Sequence, residues 1–305
     1  MADALRLEGL RGELKHNEPM ARHVSWRAGG SAARFYAPAD LDDLAAFLRQ
    51  LPPAEPLLFV GLGSNLLVRD GGFAGTVVLT HAAGRHPELV AGHLYADAGV
   101  ASPKVARFAA RHDLAGAEFL AGVPGTVGGA LAMNAGCYGG ETWEIVERAV
   151  TIDRRGALRT RARNEFDTGY RYCALRGDAR LGEDEWFAGA WFTLRKGDGA
   201  ASRARITELL EKRIASQPLS LPNAGSVFRN PPGDHAARLI EACGLKGLER
   251  GGARFSEKHA NFIVNPKGRA RAADIEWLIV QARDTVRART GVELHAEVRV
   301  VGEPA

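Results

Sequence analysis

The chain has 305 residues, of which 46% are hydrophobic and 25% charged, and its mean hydropathy is −0.17. This length is enough for two or three domains, and no window reaches the roughly 18 apolar residues of a membrane span. The net charge of +4 and the pI near 9.1 suit an anionic substrate. The basic residues are too dispersed to indicate a nucleic-acid-binding protein.

The cysteines and the amino-terminal residues indicate where the protein acts. Cys137, Cys173 and Cys243 have no ligand-like spacing, so we expect neither disulfides nor a metal site. The amino-terminal residues lack the apolar core of a signal peptide. We therefore expect a cytoplasmic protein that needs no membrane partner. We also expect three domains, at residues 1–80, 81–197 and 198–305.

The first predicted domain, residues 1–80, is a small β–α–β unit around a glycine loop. Asp40 is the predicted N-cap of a helix with apolar residues at helical spacing, which ends at Pro52. The apolar run Leu57–Val60 predicts a short buried strand. Further strands are predicted at residues 23–27, 32–37, 66–68 and 76–79.

The glycine loop follows the run Leu57–Val60 and reads Gly61-Leu62-Gly63-Ser64-Asn65. Its two glycines permit positive φ angles and a close approach to a ligand. Successive N–H groups there, with the Ser64 and Asn65 side chains, can form an anion nest that suits a phosphate. The alternative is an ordinary glycine-rich turn between strands, and the loop fits neither a Rossmann nor a Walker pattern.

A second glycine-rich stretch lies in the second predicted domain. Residues 120–140 contain seven glycines, far above the average of about 7%. Pro124 is the predicted start of a helix whose amides face a phosphate; the alternative is tight packing of a small-residue helix on a sheet. Two separated glycine loops favour an extended ligand such as a dinucleotide with a diphosphate bridge.

Other elements of the second domain have local signals. Ser102 and Pro103 predict the N-cap and first residue of a helix. Arg171 lies between Tyr170 and Tyr172, which by itself is typical of a surface strand. Alternating hydrophobicity predicts strands at residues 94–99, 145–153, 157–163 and 186–195.

The third domain is predicted to contain three helices. Ser202 caps the first, with Ile206, Leu209, Leu210 and Ile214 inward and Arg213 on the same face. Asp234 caps the second, and the third spans 274–290 before Gly291. A strand at 292–300 has Glu297 and Arg299 on its polar face. Two further segments are predicted, a loop–strand–loop at 222–232 and a strand at 258–265.

Seven motifs in this order resemble the UDP-N-acetylenolpyruvoylglucosamine reductases (UDP-N-acetylmuramate dehydrogenases), from about Val24 to Glu303. They are WRAGG, VGLGSNLLV, AGVPGTVGGALAMNAG, GYR, NAGSVFRNP, KHANFIVN and AEVRVVGE. The resemblance implies an α+β fold, in which two FAD-binding subdomains of the vanillyl-alcohol-oxidase type precede a substrate-binding domain.

The resemblance also implies the activity. The enzyme takes hydride from NADPH through bound FAD and reduces UDP-N-acetylglucosamine enolpyruvate to UDP-N-acetylmuramate, a step of peptidoglycan synthesis that supports cell shape and division. A monomer is expected. The rival interpretations are another FAD-dependent oxidoreductase of the same fold, such as an alcohol oxidase, and a non-catalytic nucleotide or RNA binder.

Matching position by position, the resemblance implies the site residues. The catalytic residues are Arg171, Ser226 and Glu297, with the proton coming from Ser226. Substrate contacts fall on Tyr138, Arg213 and Asn230. Cofactor contacts fall on Val60, Gly61, Leu62, Gly63, Ser64, Asn65, Leu66, Gly122, Pro124, Gly125, Thr126, Gly128 and Arg299.

Two features depart from the usual family pattern. Cys173 occupies a position that is usually serine, two residues after the catalytic arginine. The short segment 174–200 is similar to the family branch that lacks an extra substrate-covering tyrosine loop.

Overall fold

The structure is a computed structural model that describes residues 7–82 and 84–305, so the first six residues of the predicted first domain lie outside it. The chain forms two compact units. Unit 1 comprises residues 7–16, Arg34–Gly61 and Gly75–Leu210, and unit 2 comprises Asn17–Ala33, Leu62–Ala74 and Glu211–Ala305. The three-domain division at residues 80 and 197 stays a prediction.

Strands and helices both occur along the whole chain. The strands are β1 Glu13–Pro19, β2 Ser31–Ala37, β3 Leu57–Val60, β4 Leu66–Val68, β5 Phe73–Leu79, β6 Glu88–Val90, β7 His93–Asp97, β8 Leu114–Ala115, β9 Gly136–Cys137, β10 Gly140–Glu141, β11 Val146–Asp153, β12 Leu158–Ala162, β13 Phe166–Gly169, β14 Tyr172–Leu175, β15 Glu185–Phe192, β16 Arg195–Lys196, β17 Glu249–Arg250, β18 Ala253–Phe255, β19 Ile263–Val264 and β20 Arg299–Val301. The helices are α1 Leu41–Gln50, α2 Ser102–Arg111, α3 Val127–Ala132, α4 Gly199–Ser216, α5 Ala236–Ala242 and α6 Ala272–Thr290.

Unit 1 is built on a five-stranded antiparallel sheet in the order β12-β11-β15-β7-β6. Its strands confirm the predicted alternating segments, with ends shifted by a few residues. Helix α2 buries Val105 and Ala109 in the same apolar core as Leu94 and Phe187. Apolar burial of this kind stabilises the fold by about 25 cal/mol per Å².

The predicted β–α–β elements are also present in unit 1. Strand β3 runs parallel to β5, with Leu57 opposite Thr76. The N–H of Asp43 donates to Asp40 Oδ1 at 2.9 Å, which confirms the predicted N-cap of α1. The rings of Tyr36 and Phe47 stack with centroids 3.9 Å apart, so α1 packs on β2. Leu48 of α1 and Leu57 of β3 belong to one apolar core, so α1 also packs on the strand before the first glycine loop.

Unit 2 is organised around α6, the longest helix. The residues that helical spacing predicts to face inward are all buried: Ile275, Leu278, Ile279, Ala282 and Val286. Gly291 ends the helix with φ +76°. Trp26, far away in the sequence, lies in the same core, and its indole N–H donates to Ile263 O at 2.7 Å. The amide of Asn265 in turn donates to Trp26 O at 3.0 Å.

Strand β4 also belongs to unit 2, where it pairs in parallel with β20 so that Leu66 lies opposite Arg299. Next to β4, both carboxylate oxygens of Asp70 accept the N–H groups of Ala272 and Ala273 at 3.0 and 2.9 Å. These are orphan donors at the start of α6. The segment 62–74 is therefore fixed to the carboxyl-terminal part of the chain.

Three predicted N-caps are wrong by one to four residues. Ala101 precedes α2, and Ser102 is its first residue. Helix α4 begins at Gly199, where Asp198 accepts the Ala200 N–H at 2.7 Å. Helix α5 begins at Ala236, after His235 rather than Asp234. At α4 and α5 a different polar side chain accepts an orphan N–H group, Asp198 from Ala200 and Asn230 from Ala236, whereas α2 follows Ala101 with no side-chain cap.

In the first predicted domain, the strand at 23–27 is wrong because those residues form turns. The predicted strands of the third domain are too long. Only Ile263–Val264 of 258–265 and the last two residues of 292–300 are in strands, the latter as part of β20, Arg299–Val301. The segment 222–232 has a single bridge, Phe228 to Ala296. Ile214 is 60% exposed rather than inward. Within the described ranges, none of the helices combines the length and apolarity that crossing a membrane requires.

Candidate active site

The first glycine loop, residues 61–65, begins where β3 ends and β4 has not yet started. In the part of the chain that the structure describes, the backbone N–H groups of these five residues donate no hydrogen bond to the protein. Gly63 has φ +60°, and a Cβ there would lie 2.2 Å from His23 O. The loop thus offers successive N–H donors on a backbone that packs too closely for a side chain, which fits the predicted anion nest.

The second glycine-rich stretch differs from its prediction. Helix α3 begins at Val127 rather than Pro124 and has only six residues. The N–H groups of Val127 and Gly128 already donate to Val100 O and Ala98 O, at 2.8 and 2.9 Å. The predicted helix start at Pro124 is therefore wrong, and the helix amides are used within the fold. A Cβ on Gly128 would lie 2.9 Å from that of Ala98, so small-residue packing accounts for this glycine.

Gly61, the first residue of the first glycine loop, lies against Thr126 of the second glycine-rich stretch within unit 1. A Cβ on Gly61 would lie 2.3 Å from Thr126 Oγ1 and 2.9 Å from Thr126 Cγ2. Neither loop carries an acidic residue. A backbone-lined surface with free N–H donors and no carboxylate suits a diphosphate, so the residues present fit FAD.

Arg171 lies at the tip of the hairpin formed by β13 and β14 and has φ +54°. Its Nη2 donates to Gly136 O at 3.0 Å, and its guanidinium carbon lies 5.0 Å from the centroid of the Tyr170 ring. A non-glycine residue at positive φ is uncommon and is often associated with function. The structure therefore places Arg171 in a strained turn, not in the surface strand that its neighbours suggested.

Asn134 anchors that hairpin, and sequence reasoning missed it. The residue is buried, and its Nδ2 donates to Gly169 O at 3.1 Å and to Glu141 Oε2 at 2.8 Å. Its Oδ1 accepts the Trp143 N–H at 3.0 Å. A buried asparagine with all these groups engaged is costly to replace. Its place inside the glycine-rich motif was the only signal in the sequence.

Ser226 and Glu297 lie on adjacent segments of unit 2. The Glu297 N–H donates to Val227 O at 2.8 Å, and the Arg229 N–H donates to His295 O at 2.9 Å. On the other side, Asn261 pairs with both main-chain groups of Phe228 at 2.8 and 2.9 Å. The structure thus brings two of the three predicted catalytic residues onto neighbouring segments of one unit, while Arg171 belongs to the other unit.

Asn65 and Arg299 connect the glycine loop to the Glu297 segment within unit 2. Asn65 Nδ2 donates to Glu297 O at 3.1 Å, and the Arg299 N–H donates to Asn65 O at 3.0 Å. Arg299 is exposed as the first residue of β20. The amide of Asn65 is therefore engaged with the chain itself, a role that its sequence position did not indicate.

The three predicted substrate contacts lie at surfaces and have partners in the fold. The Tyr138 hydroxyl donates to Leu209 O at 2.9 Å, and the ring is 41% exposed. Arg213 Nε donates to Gln217 Oε1 at 2.9 Å. Asn230 Oδ1 accepts the Ala236 N–H at 3.1 Å at the start of α5. Their contacts with substrate stay predictions.

Cys173, the departure from the usual pattern, lies opposite Thr168 in the hairpin. Burial raises the pKa of its thiol to about 12. The group is therefore a protonated thiol at neutral pH, without the thiolate that redox or nucleophilic chemistry requires.

Comparisons with known proteins cover almost the whole chain. Residues 32–161 match the family model described as "FAD binding domain", and residues 217–301 match "UDP-N-acetylenolpyruvoylglucosamine reductase, C-terminal domain". The UDP-N-acetylenolpyruvoylglucosamine reductase of Thiobacillus denitrificans is 60% identical over 308 residues, covering 96% of this chain and 94% of that protein. The reductase of Legionella pneumophila is 52% identical, covering 99% and 96%.

A solved structure gives the same result. The UDP-N-acetylenolpyruvylglucosamine reductase of Thermus caldophilus superimposes with a TM-score of 0.79 at 31% identity, covering 95% of this chain and 99% of that one. Together with the family models, this match confirms the predicted fold class, an FAD-binding α+β fold with a further carboxyl-terminal domain.

Proposed function

Because this chain belongs to the UDP-N-acetylenolpyruvoylglucosamine reductase family, we propose how its own residues perform the family's reaction. The chain is an FAD-dependent oxidoreductase that reduces the enolpyruvyl ether of UDP-N-acetylglucosamine enolpyruvate in peptidoglycan precursor synthesis. NADPH is the co-substrate of the family. FAD, when bound, carries hydride from NADPH to the enolpyruvyl methylene carbon.

The two glycine loops are the proposed FAD site. The free N–H groups of residues 61–65 would hold the diphosphate, and Gly61 lies against Thr126 of the second stretch. Arg299 adds a positive charge beside Leu66. The remaining proposed contacts are Val60, Gly122, Pro124, Gly125 and Gly128.

Arg171 is the proposed electrostatic catalyst. Addition of hydride to the methylene carbon leaves negative charge on the neighbouring carbon and its carboxylate. A guanidinium is always charged and binds a carboxylate through two N–H groups. The bond from Arg171 to Gly136 O fixes this guanidinium before the charge develops, and a preorganised donor needs no rearrangement at that moment.

Ser226 is the proposed proton donor, and Glu297 assists it. The proton goes to the carbon next to the one that received hydride, which completes the saturated lactyl ether. A serine hydroxyl is a weak acid, so it needs a neighbour that lends it a proton, and a protonated Glu297 carboxyl can also donate a hydrogen bond to the enolate. The bond between the Glu297 N–H and Val227 O keeps the two residues on adjacent segments, and it is the observation that best supports this assignment.

We further propose that the protein acts as a cytoplasmic monomer on this small-molecule substrate, without nucleic-acid or membrane partners. The net charge of only +4, with basic residues spread along the sequence, supports the expectation of no nucleic-acid partner.

Two half-reactions test the proposal on the purified flavoprotein. Flavin released by heating should be FAD by chromatography. Anaerobic NADPH should bleach the bound flavin, and UDP-N-acetylglucosamine enolpyruvate should restore its absorbance with formation of UDP-N-acetylmuramate. Recovery of FMN, or reoxidation by oxygen but not by the enolpyruvyl substrate, would contradict it.

A further inference from the structure

We propose that Asn65, a residue of the glycine loop, positions Glu297 and through it Ser226. This inference rests on the proposed function for its consequence in the reaction. Its structural basis lies entirely within unit 2, where all the contacts described below are found.

Asn65 holds the chain on both sides of Val298. Its Nδ2 donates to Glu297 O at 3.1 Å, before Val298, and its main-chain O accepts the Arg299 N–H at 3.0 Å, after it. Val298 itself is buried. The residue that precedes Val298 and the residue that follows it are therefore both fixed to one residue of the glycine loop.

The fixed segment transmits this restraint to Ser226. The Glu297 N–H donates to Val227 O at 2.8 Å, so the residue after Ser226 is tied to Glu297. Only Arg299–Val301 of this segment form a strand, pairing with Leu66–Val68. Glu297 lies ahead of that ladder, and the side-chain bond from Asn65 supplies the contact that regular pairing does not provide there.

The sequence suggested that the side-chain amide of Asn65 contributes to an anion nest, whereas in the structure this amide donates to another part of the chain. A side-chain NH₂ that donates to a carbonyl of the same protein fixes the orientation of the carboxamide. Loss of this bond frees Glu297 O and the segment that carries the carboxylate. Displacement of a reacting group by about 1 Å lowers a rate by about 10²-fold. Because Ser226 and Glu297 act in the proton-transfer half of the reaction, we expect loss of the bond to slow that half.

The variant Asn65→Asp tests the proposal because it keeps the shape and loses the donor. The new carboxylate oxygen would face Glu297 O, so we expect reoxidation by the enolpyruvyl substrate to fall by about 10²-fold in kcat, with KM little changed. Asn65→Ala, which loses the bond without repulsion, should fall less. Rates are compared per bound FAD, and in both variants reduction by NADPH should slow less than reoxidation, because the lost bond lies at the Glu297 segment.

Hydrogen–deuterium exchange of the holoenzyme provides a readout that needs no turnover. In both variants, exchange should increase in peptides that cover residues 224–230 and 294–300, and not in peptides from α6, because local opening follows the lost contact. Asn17→Asp, an exposed residue of unit 2, controls for the added charge and should match the wild type in all assays.

The outcomes separate the two proposals. Unchanged exchange in 294–300, or equal slowing of both half-reactions per bound FAD, would overturn the positioning role. A wild-type protein that the enolpyruvyl substrate does not reoxidise would overturn the proposed function, while the exchange result would still decide whether Asn65 holds the Glu297 segment.

Discussion

Arg171 lies at the tip of a hairpin that buried side chains anchor, whereas Ser226 and Glu297 lie on irregular segments that main-chain hydrogen bonds align. In unit 1, Asn134 holds Gly169 beside the hairpin tip. In unit 2, the bond from the Glu297 N–H to Val227 O aligns the segments whatever their side chains are. The side chains of Ser226 and Glu297 take no part in that main-chain bond, so we expect both residues to tolerate substitution without loss of fold, whereas the unit 1 turn depends on the side chain of Asn134.

The largest expected effect is that of Ser226→Ala. Because the segment is held by main-chain bonds, the variant should fold, retain FAD and be reduced by NADPH normally. Reoxidation by the enolpyruvyl substrate should fall by roughly 10²-fold to 10⁴-fold, the range for loss of a general acid. Ser226→Cys should recover part of the rate, since a thiol still donates a proton. Stopped-flow absorbance measures both halves, and slowing of both to the same degree would assign Ser226 a structural role.

Gly61→Ala should produce the next largest effect, on cofactor retention. The new Cβ would lie 2.3 Å from Thr126 Oγ1, and overpacking of this kind costs about 1–3 kcal/mol. We expect a lower FAD-to-protein ratio by absorbance after gel filtration. Thr126→Ala removes the two nearest atoms, so the double variant should retain more FAD than Gly61→Ala alone. If adding Thr126→Ala does not raise the FAD-to-protein ratio of Gly61→Ala, the contact between residues 61 and 126 does not limit FAD binding.

Asn134→Ala tests whether the Arg171 hairpin of unit 1 depends on a buried side chain. The change leaves the buried Trp143 N–H without its acceptor at 3.0 Å, and an unsatisfied buried group costs about 1–3 kcal/mol. Urea unfolding should show this loss of stability, together with slower reoxidation because the Arg171 hairpin is less fixed. Asn164→Ala, an exposed asparagine of the same unit, is the control. Unchanged stability in Asn134→Ala would mean that the hairpin keeps its conformation without the contacts of Asn134.

The smallest expected effect is a pH dependence located in unit 1. Burial of Glu185 tends to raise its pKa, but hydrogen bonds from Arg161 and Thr151 outweigh this and lower the pKa below 4.5. A lowered folded-state pKa contributes stability above the unfolded value, and the contribution is lost as pH falls through the folded value. Unfolding free energies measured from pH 6 down to pH 3 should therefore decrease less steeply in Glu185→Gln. An unchanged slope would contradict the assignment.

Elements whose signals lie within a few neighbouring residues were predicted well. Helix α6 has its inward set at helical spacing and its terminal glycine in the left-handed conformation. Asp40 caps α1 because its oxygen reaches an N–H three residues away. The glycine loop could also be located, since two glycines one residue apart after an apolar run are visible in the sequence, and the family motifs supplied the candidate catalytic residues.

Contacts between distant segments were decided by the tertiary structure alone. Asp70 caps α6 from about 200 positions away, β4 pairs with β20, and Asn65 reaches Glu297 O. A hydrogen bond from a side chain to a distant main-chain group imposes no period on either segment, so no local pattern reports it. The sequence by itself therefore determined the family, the helices and the candidate reactive residues, whereas only the folded chain decided which neighbours hold those residues, because that choice depends on which segments the buried cores bring together.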